Sequence, residues 1–244
     1  MEILGVIPAR MGAVRFPGKP LADLAGRPLV RWVYEAAASC PLLDRVVVAT
    51  PDREILDAVR AFGGEAVLTS PHHPTGTDRV AEVAASSGAD VVVNVQGDQP
   101  FVTPEMLEQL VAPFVAAPDV LMSTLGAPIS ADVDAADPNV VKVVCDRNGD
   151  ALYFSRRAIP YVRTPGPAPV LHHLGLYAFT RAFLAVYETL APTPLEQCEG
   201  LEQLRALEHG YRIRVARTGR PAVEVNTPAD LAAAIAHAGA SALS

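Results

Sequence analysis

Short β-branched runs alternate with helical patterns through the first hundred residues, and this rhythm limits the fold more than any other feature of the chain. Val46-Val47-Val48 and Val91-Val92-Val93 carry apolar side chains on successive positions, so both faces of each strand must be covered. Strands are expected over 3–7, 45–50, 65–68 and 90–95, with helices over 28–39, 52–62 and 77–87 between them. Pro28 suits a first helical turn, and Asp52 and Thr77 are candidate caps. Such a βαβ succession predicts an α/β fold, a doubly wound and mostly parallel sheet with right-handed crossovers.

The second half reads as strands over 121–127, 139–145, 151–155, 173–179, 212–216 and 222–225. Asp146-Arg147-Asn148-Gly149-Asp150 is a turn, and 163–169 is a loop with three prolines and a glycine. Helices are expected near 181–190 and 199–209, and an Ala-rich one from Thr227. No linker, internal repeat or low-complexity tract interrupts the pattern, which predicts a single domain over 1–244.

A net charge of −7 argues against nucleic acid as a partner, because a phosphate backbone calls for a basic face. Cys40, Cys145 and Cys198 are odd in number, far apart and without a C-x-x-C pair, which points away from a disulfide framework or a zinc site. The first eight residues lack the basic flank of a signal peptide, and no apolar stretch is long enough to span a bilayer. A cytoplasmic protein without membrane insertion is therefore expected.

One loop departs from this acidic background. After the first strand comes Pro8-Ala9-Arg10-Met11-Gly12-Ala13-Val14-Arg15-Phe16-Pro17-Gly18-Lys19-Pro20, with three cations and two glycines where open α/β sheets bind ligands. Glycines let backbone N–H groups approach an anion, and arginine and lysine neutralise a polyphosphate. It is not a Walker A loop, since Lys19 precedes Pro20 and no hydroxyl residue for magnesium follows. Nor does it contain the G-x-G-x-x-G fingerprint of dinucleotide enzymes.

With IPAR and RFPGKPL inside 7–21, GTDRVAEV (76–83), VNVQGDQP (93–100), NVVKVV (139–144), ALYFSR (151–156), HLGLYAF (173–179), LEQLRALEHG (201–210) and VNTPADL (225–231), the chain resembles the 3-deoxy-manno-octulosonate (Kdo) cytidylyltransferases, or CMP-Kdo synthetases. The resemblance implies a Rossmann-like nucleotidyltransferase fold with a small dimerisation subdomain near 128–177, a homodimer, and Mg²⁺ as cofactor. It implies CTP as donor and a small acidic acceptor, most simply Kdo. Arg10, Arg15 and Lys19 match residues that hold the CTP phosphates, and Arg15, Lys19 and Asp98 are the candidate catalytic residues. Thr77, Asp78 and Arg79 match the border of the cytosine and ribose, although helix capping would equally explain the first two. Gln96 matches a place beside the nucleotide, and Asp98 and Asn226 match the metal positions. Arg156, His173, Tyr177, Glu202 and Gln203 match the acceptor pocket; core packing would also account for His173 and Tyr177.

Two positions depart from the family pattern. Gln99 stands where Gly-Asp-Glu-Pro is usual, and Asn226 where Val-Asp-Thr-Pro is usual. Asn226 keeps a carbonyl oxygen but removes a negative charge that a hard cation favours. Two alternatives follow: an acceptor such as the small phosphonate phosphonoformate, and a nucleotide-binding relative that has lost catalysis.

Overall fold

The computed structural model of the chain describes residues 1–12, 15–129, 135–164, 170–220 and 223–241. Its first half runs β1 (Ile3–Pro8), a 3-10 turn (Lys19–Leu21), β2 (Asp23–Leu24), β3 (Arg27–Pro28), α1 (Leu29–Ala38), β4 (Arg45–Thr50), α2 (Arg53–Ala61), β5 (Ala66–Leu68), α3 (Gly76–Ala85), β6 (Val91–Asn94) and α4 (Pro104–Ala116). The second half runs β7 (Met122–Pro128), β8 (Lys142–Cys145), β9 (Ala151–Ser155), β10 (Val170–Thr180), α5 (Arg181–Tyr187), α6 (Pro194–Glu199), α7 (Gln203–Glu208), β11 (Arg214–Arg217) and α8 (Pro228–Ser241). Two compact units emerge, one of residues 1–108 with 222–244 and one of residues 109–221.

In the first unit the sheet order is β6-β1-β4-β5 and every pair is parallel. Val6, Ile7, Val47, Val48, Val92 and Val93 have no exposed surface, so successive side chains on both faces lie in core. That is the reason for the unbroken valine runs: helices must cover a parallel sheet on each side. From β1 the chain moves one way to β4 and β5 and later the other way to β6, so the strand order reverses beside β1. The crevice beyond the carboxyl ends of β1 and β6 is where such a sheet accepts a ligand.

The second unit has a sheet of different character. Strand β7 pairs parallel with β11 and antiparallel with β10, and β10, β8 and β9 continue antiparallel. The register of β10 against β7 shifts between His173 and Tyr177. Lys142 is fully buried, its Nζ donating to the carbonyls of Asp137 at 3.1 Å and Arg156 at 2.5 Å. Those carbonyls keep the ammonium hydrogen-bonded away from water.

Several local expectations are corrected. Thr77 does not cap α3; Thr75 does, its Oγ1 accepting from the Asp78 N–H at 3.2 Å while the Asp78 carboxylate accepts from the Thr75 N–H at 3.0 Å. Asp52 sits at the N-cap of α2 without a side-chain capping bond, because its carboxylate accepts from the Met11 N–H at 2.8 Å. Pro28 precedes α1 as its N-cap residue. The helix expected over 199–209 is two short helices parted at Gly200, whose φ is +62°. Of the strand expected over 222–225, residues 223–225 form none, and residue 222 lies outside the described residues. The proline-rich loop at 163–169 falls outside them from residue 165 onward.

Candidate active site

The loop after β1 and the loop after β6 line the same cleft, of about 400 Å³, in the first unit. Two glycines make the approach possible. Gly18 has φ +74° and turns the chain so that Lys19 opens a 3-10 turn. At Gly97 a Cβ would lie 2.8 Å from the Pro8 carbonyl oxygen, so only glycine lets the β6 loop approach the end of β1 this closely. Asp52 reaches across from the start of α2 to hold Met11, tying the middle of the cationic loop to the sheet.

Arg10, Arg15, Lys19, Arg79, Gln96, Asp98 and Asn226 all line this cleft. Lys19 Nζ donates to Asp98 Oδ2 at 2.9 Å, with the two side chains 15% and 24% exposed. Arg15 donates to Asn226 Oδ1 at 3.1 Å. Arg79 is 2% exposed and donates to Thr69 Oγ1 at 2.9 Å and to the Ser70 carbonyl at 3.2 Å. Burial, and then the neighbouring charge of Arg10, lower its pKa. Two guanidinium groups that repel one another across a cleft are the expected preparation for a polyanion.

Thr77 and Asp78 are not among the lining residues. Thr77 is buried and accepts from Asn94 Nδ2 at 3.4 Å, and the Asp78 carboxylate is engaged with Thr75. Thr75 and Gly76 line the cleft in their stead, so the capping box brings the helix N-terminus to the ligand space.

Glu224 was not singled out from the sequence. Its Oε2 accepts from Asn226 Nδ2 at 2.9 Å and its Oε1 from Gln99 Nε2 at 3.3 Å. The Val225 N–H donates to the Asp98 carbonyl at 2.8 Å, which ties this segment to the β6 loop. The residue keeps an exposed flank, yet protein crowds its carboxyl group; that desolvation, with the Asp98 charge next in size, raises its pKa. Its position two residues before Asn226 was the available signal, close enough in sequence for its carboxylate to reach the Asn226 amide.

For a hard cation the cleft offers the Asp98 carboxylate and the Asn226 carboxamide oxygen. No group of three or more His, Cys, Asp or Glu side chains suited to a metal occurs among the described residues. Two oxygens fit Mg²⁺, which retains waters and takes its other ligands from phosphates.

The acceptor candidates all lie in the second unit. Tyr177 on β10 donates to Gln203 Oε1 on α7 at 3.0 Å, and the His173 and Tyr177 rings are 5.5 Å apart. Gln203 is 2% exposed and its Nε2 has no hydrogen-bond partner among the described residues. His173 lies 2.9 Å from Thr124 Oγ1, and burial lowers its pKa to about 3, so it is a neutral imidazole. Arg156 gives its guanidinium hydrogens to the carbonyls of Glu199 at 2.7 Å, Pro138 at 2.9 Å and Gly200 at 3.3 Å. Glu202 is the residue before α7, and its carbonyl accepts from the Tyr187 hydroxyl at 2.8 Å.

The cytidylyltransferase family profile matches residues 4–213. The chain belongs to the cytidylyltransferase family. A 3-deoxy-manno-octulosonate cytidylyltransferase of Acaryochloris marina is 61% identical over 232 residues, 95% of each chain. Its counterpart from Geobacter metallireducens is 49% identical over 242 residues, again 95% of each. A solved structure of a CMP-2-keto-3-deoxy-manno-octonic acid synthetase complexed with CTP is 41% identical, with a TM-score of 0.95 over 99% of this chain and 100% of that one. In this cytidylyltransferase the cleft lies where the strand order reverses in the first unit's parallel sheet, a position at which such sheets accept ligands.

Proposed function

We infer that this cytidylyltransferase transfers CMP from CTP to Kdo and releases pyrophosphate. The observation that carries the reading is the whole-length likeness to proteins named for that reaction. The cleft supplies chemistry that agrees with it.

Arg10, Arg15 and Lys19 draw the triphosphate into the first unit's cleft. Lys19 and Arg15 offset the charge that builds on the departing β- and γ-phosphates, which is the electrostatic help phosphoryl transfer needs. Mg²⁺ would be held by Asp98 and Asn226. When bound, it neutralises phosphate oxygens and favours attack at the α-phosphorus. The 2-hydroxyl oxygen of Kdo bonds to that phosphorus, the α–β phosphoanhydride bond breaks, and the hydroxyl proton passes to solvent. Arg79, Gln96 and the Thr75–Gly76 backbone border the nucleoside, while Thr77 and Asp78 support that border through α3.

The acceptor is held by Gln203, Tyr177 and Glu202, with Arg156 supplying positive charge for the sugar carboxylate. A neutral His173 packs beneath Tyr177 and takes no proton in turnover. The apolar Tyr161 and Val162, 90% and 51% exposed, support a homodimer through the segment near 128–177. No helix among the described residues is long and apolar enough to cross a membrane, and with three free cysteines this supports a cytoplasmic setting.

Pyrophosphate release should require CTP, Kdo and a divalent cation together, and EDTA should abolish it. Equal release with UTP, or release without Kdo, would contradict the reading.

A further inference from the structure

We propose that Glu224 is a positioning residue: by holding the amide nitrogen of Asn226, its carboxylate turns the Asn226 oxygen into the nucleotide cleft. The proposal rests on the cytidylyltransfer reading above and extends it to a residue outside the cleft lining.

A carboxamide has two chemically opposite ends of nearly the same shape, so its orientation is set by its neighbours. On one side of Asn226 a carboxylate can only accept, and Glu224 Oε2 takes a hydrogen from Nδ2 at 2.9 Å. On the other side a guanidinium can only donate, and Arg15 gives one to Oδ1 at 3.1 Å. Arg15 and Asn226 line the cleft and Glu224 does not. The two charged neighbours therefore agree on one orientation, with oxygen towards the cleft and nitrogen away from it.

Glu224 is itself fixed. Its second oxygen accepts from Gln99 Nε2 at 3.3 Å, and the Val225 N–H donates to the Asp98 carbonyl at 2.8 Å. Past Asn226, the Asp230 carboxylate accepts from the N–H groups of Asn226 at 2.9 Å and Thr227 at 2.8 Å. Two neutral amides bracketing one carboxylate form a coherent set. An aspartate at 226 would set a second negative charge against Glu224 and leave Glu224 Oε2 without its donor. Glu224 and Asn226 thus belong together, and Asn226 is the residue that Glu224 makes usable as an oxygen ligand.

The test is calorimetric titration of CTP into wild type, Glu224→Ala and the double variant Glu224→Ala/Asn226→Asp, each with Mg²⁺ and with EDTA. Without Glu224 the amide keeps only Arg15, which the triphosphate also engages, so Mg²⁺-supported CTP affinity should fall about tenfold while affinity in EDTA stays within twofold. An aspartate presents oxygen whichever way it turns, so the double variant should return to within about threefold of wild type. Equal Mg²⁺-supported affinity for Glu224→Ala and wild type would overturn the proposal, as would failure of the double variant to recover. Absence of CTP binding by wild type itself would overturn the cytidylyltransfer reading.

Discussion

At the scale of single residues, the Lys19–Asp98 contact is the most exacting feature of the cleft. It places a cation and a candidate metal ligand 2.9 Å apart in a partly enclosed setting, at the cleft proposed to take the triphosphate. Lys19→Ala and Asp98→Ala should each lower turnover by about 100-fold or more, the usual cost of losing one preorganised charge at a transition state. Thermal unfolding of either variant should stay close to wild type, and near-normal pyrophosphate release in either would remove that residue from the mechanism. His173 makes a different prediction. It is a base held neutral when folded and free to charge when unfolded, its pKa falling from 6.5 to about 3. Across that window the unfolded chain binds the extra proton, so stability declines as pH falls below 6.5 and is level above it. Glu65 is held below the usual carboxylate range by its hydrogen bond with Arg45, so its contribution is complete above pH 4.5 and lost only below it. The melting temperature of wild type should therefore fall more between pH 7 and 5 than that of His173→Gln. Parallel curves over that interval would contradict a buried neutral imidazole.

At the scale of elements, the cleft depends on how helix starts are secured. Asp52 gives its carboxylate to the Met11 N–H instead of to the first turn of α2, so α2 acts as an anchor for the cationic loop. Asp52→Ala should raise the KM for CTP severalfold with a stability change of about 1 kcal/mol or less, since α2 loses no side-chain cap. Asp78→Ala should do the reverse. It breaks the capping box of α3 at a cost of about 1 kcal/mol and leaves CTP affinity within threefold, both measurable by thermal unfolding and titration. These elements also show what the sequence could reveal. The parallel strands were legible because their valines must be buried on both faces, and β4 and β9 fall on the expected residues. The cationic loop was legible because its charge stands out in an acidic chain. Helix α4 was not anticipated; Pro113 within it breaks the usual helical signal. The cap of α3 was placed two residues late because Thr75 and Thr77 offer the same chemistry, and only the reciprocal bond with Asp78 separates them. Glu224 escaped notice because its partners, Gln99 and Asn226, are brought to it by the fold, Gln99 from far along the chain.

At the scale of the whole molecule, the proposed donor and acceptor residues fall in different units. The first supplies cations and a switch-point cleft suited to a nucleoside triphosphate. The second holds the Tyr177–Gln203 pair, proposed above to meet the acceptor. Gln203→Ala should accordingly raise the KM for Kdo by tenfold or more while leaving CTP affinity unchanged, because a buried polar site loses most when its specific donor is removed. Light scattering after size exclusion should give twice the chain mass, and a monomer at micromolar concentration would refute the proposed homodimer. The central claim is that one phosphodiester is made from CTP and Kdo, and ³¹P NMR of the protein with both substrates and Mg²⁺ tests it most directly. The account predicts loss of the three CTP resonances, with a single CMP-Kdo phosphodiester signal and pyrophosphate appearing in equal amounts. Unchanged CTP, or pyrophosphate accompanied by free CMP alone, would contradict it.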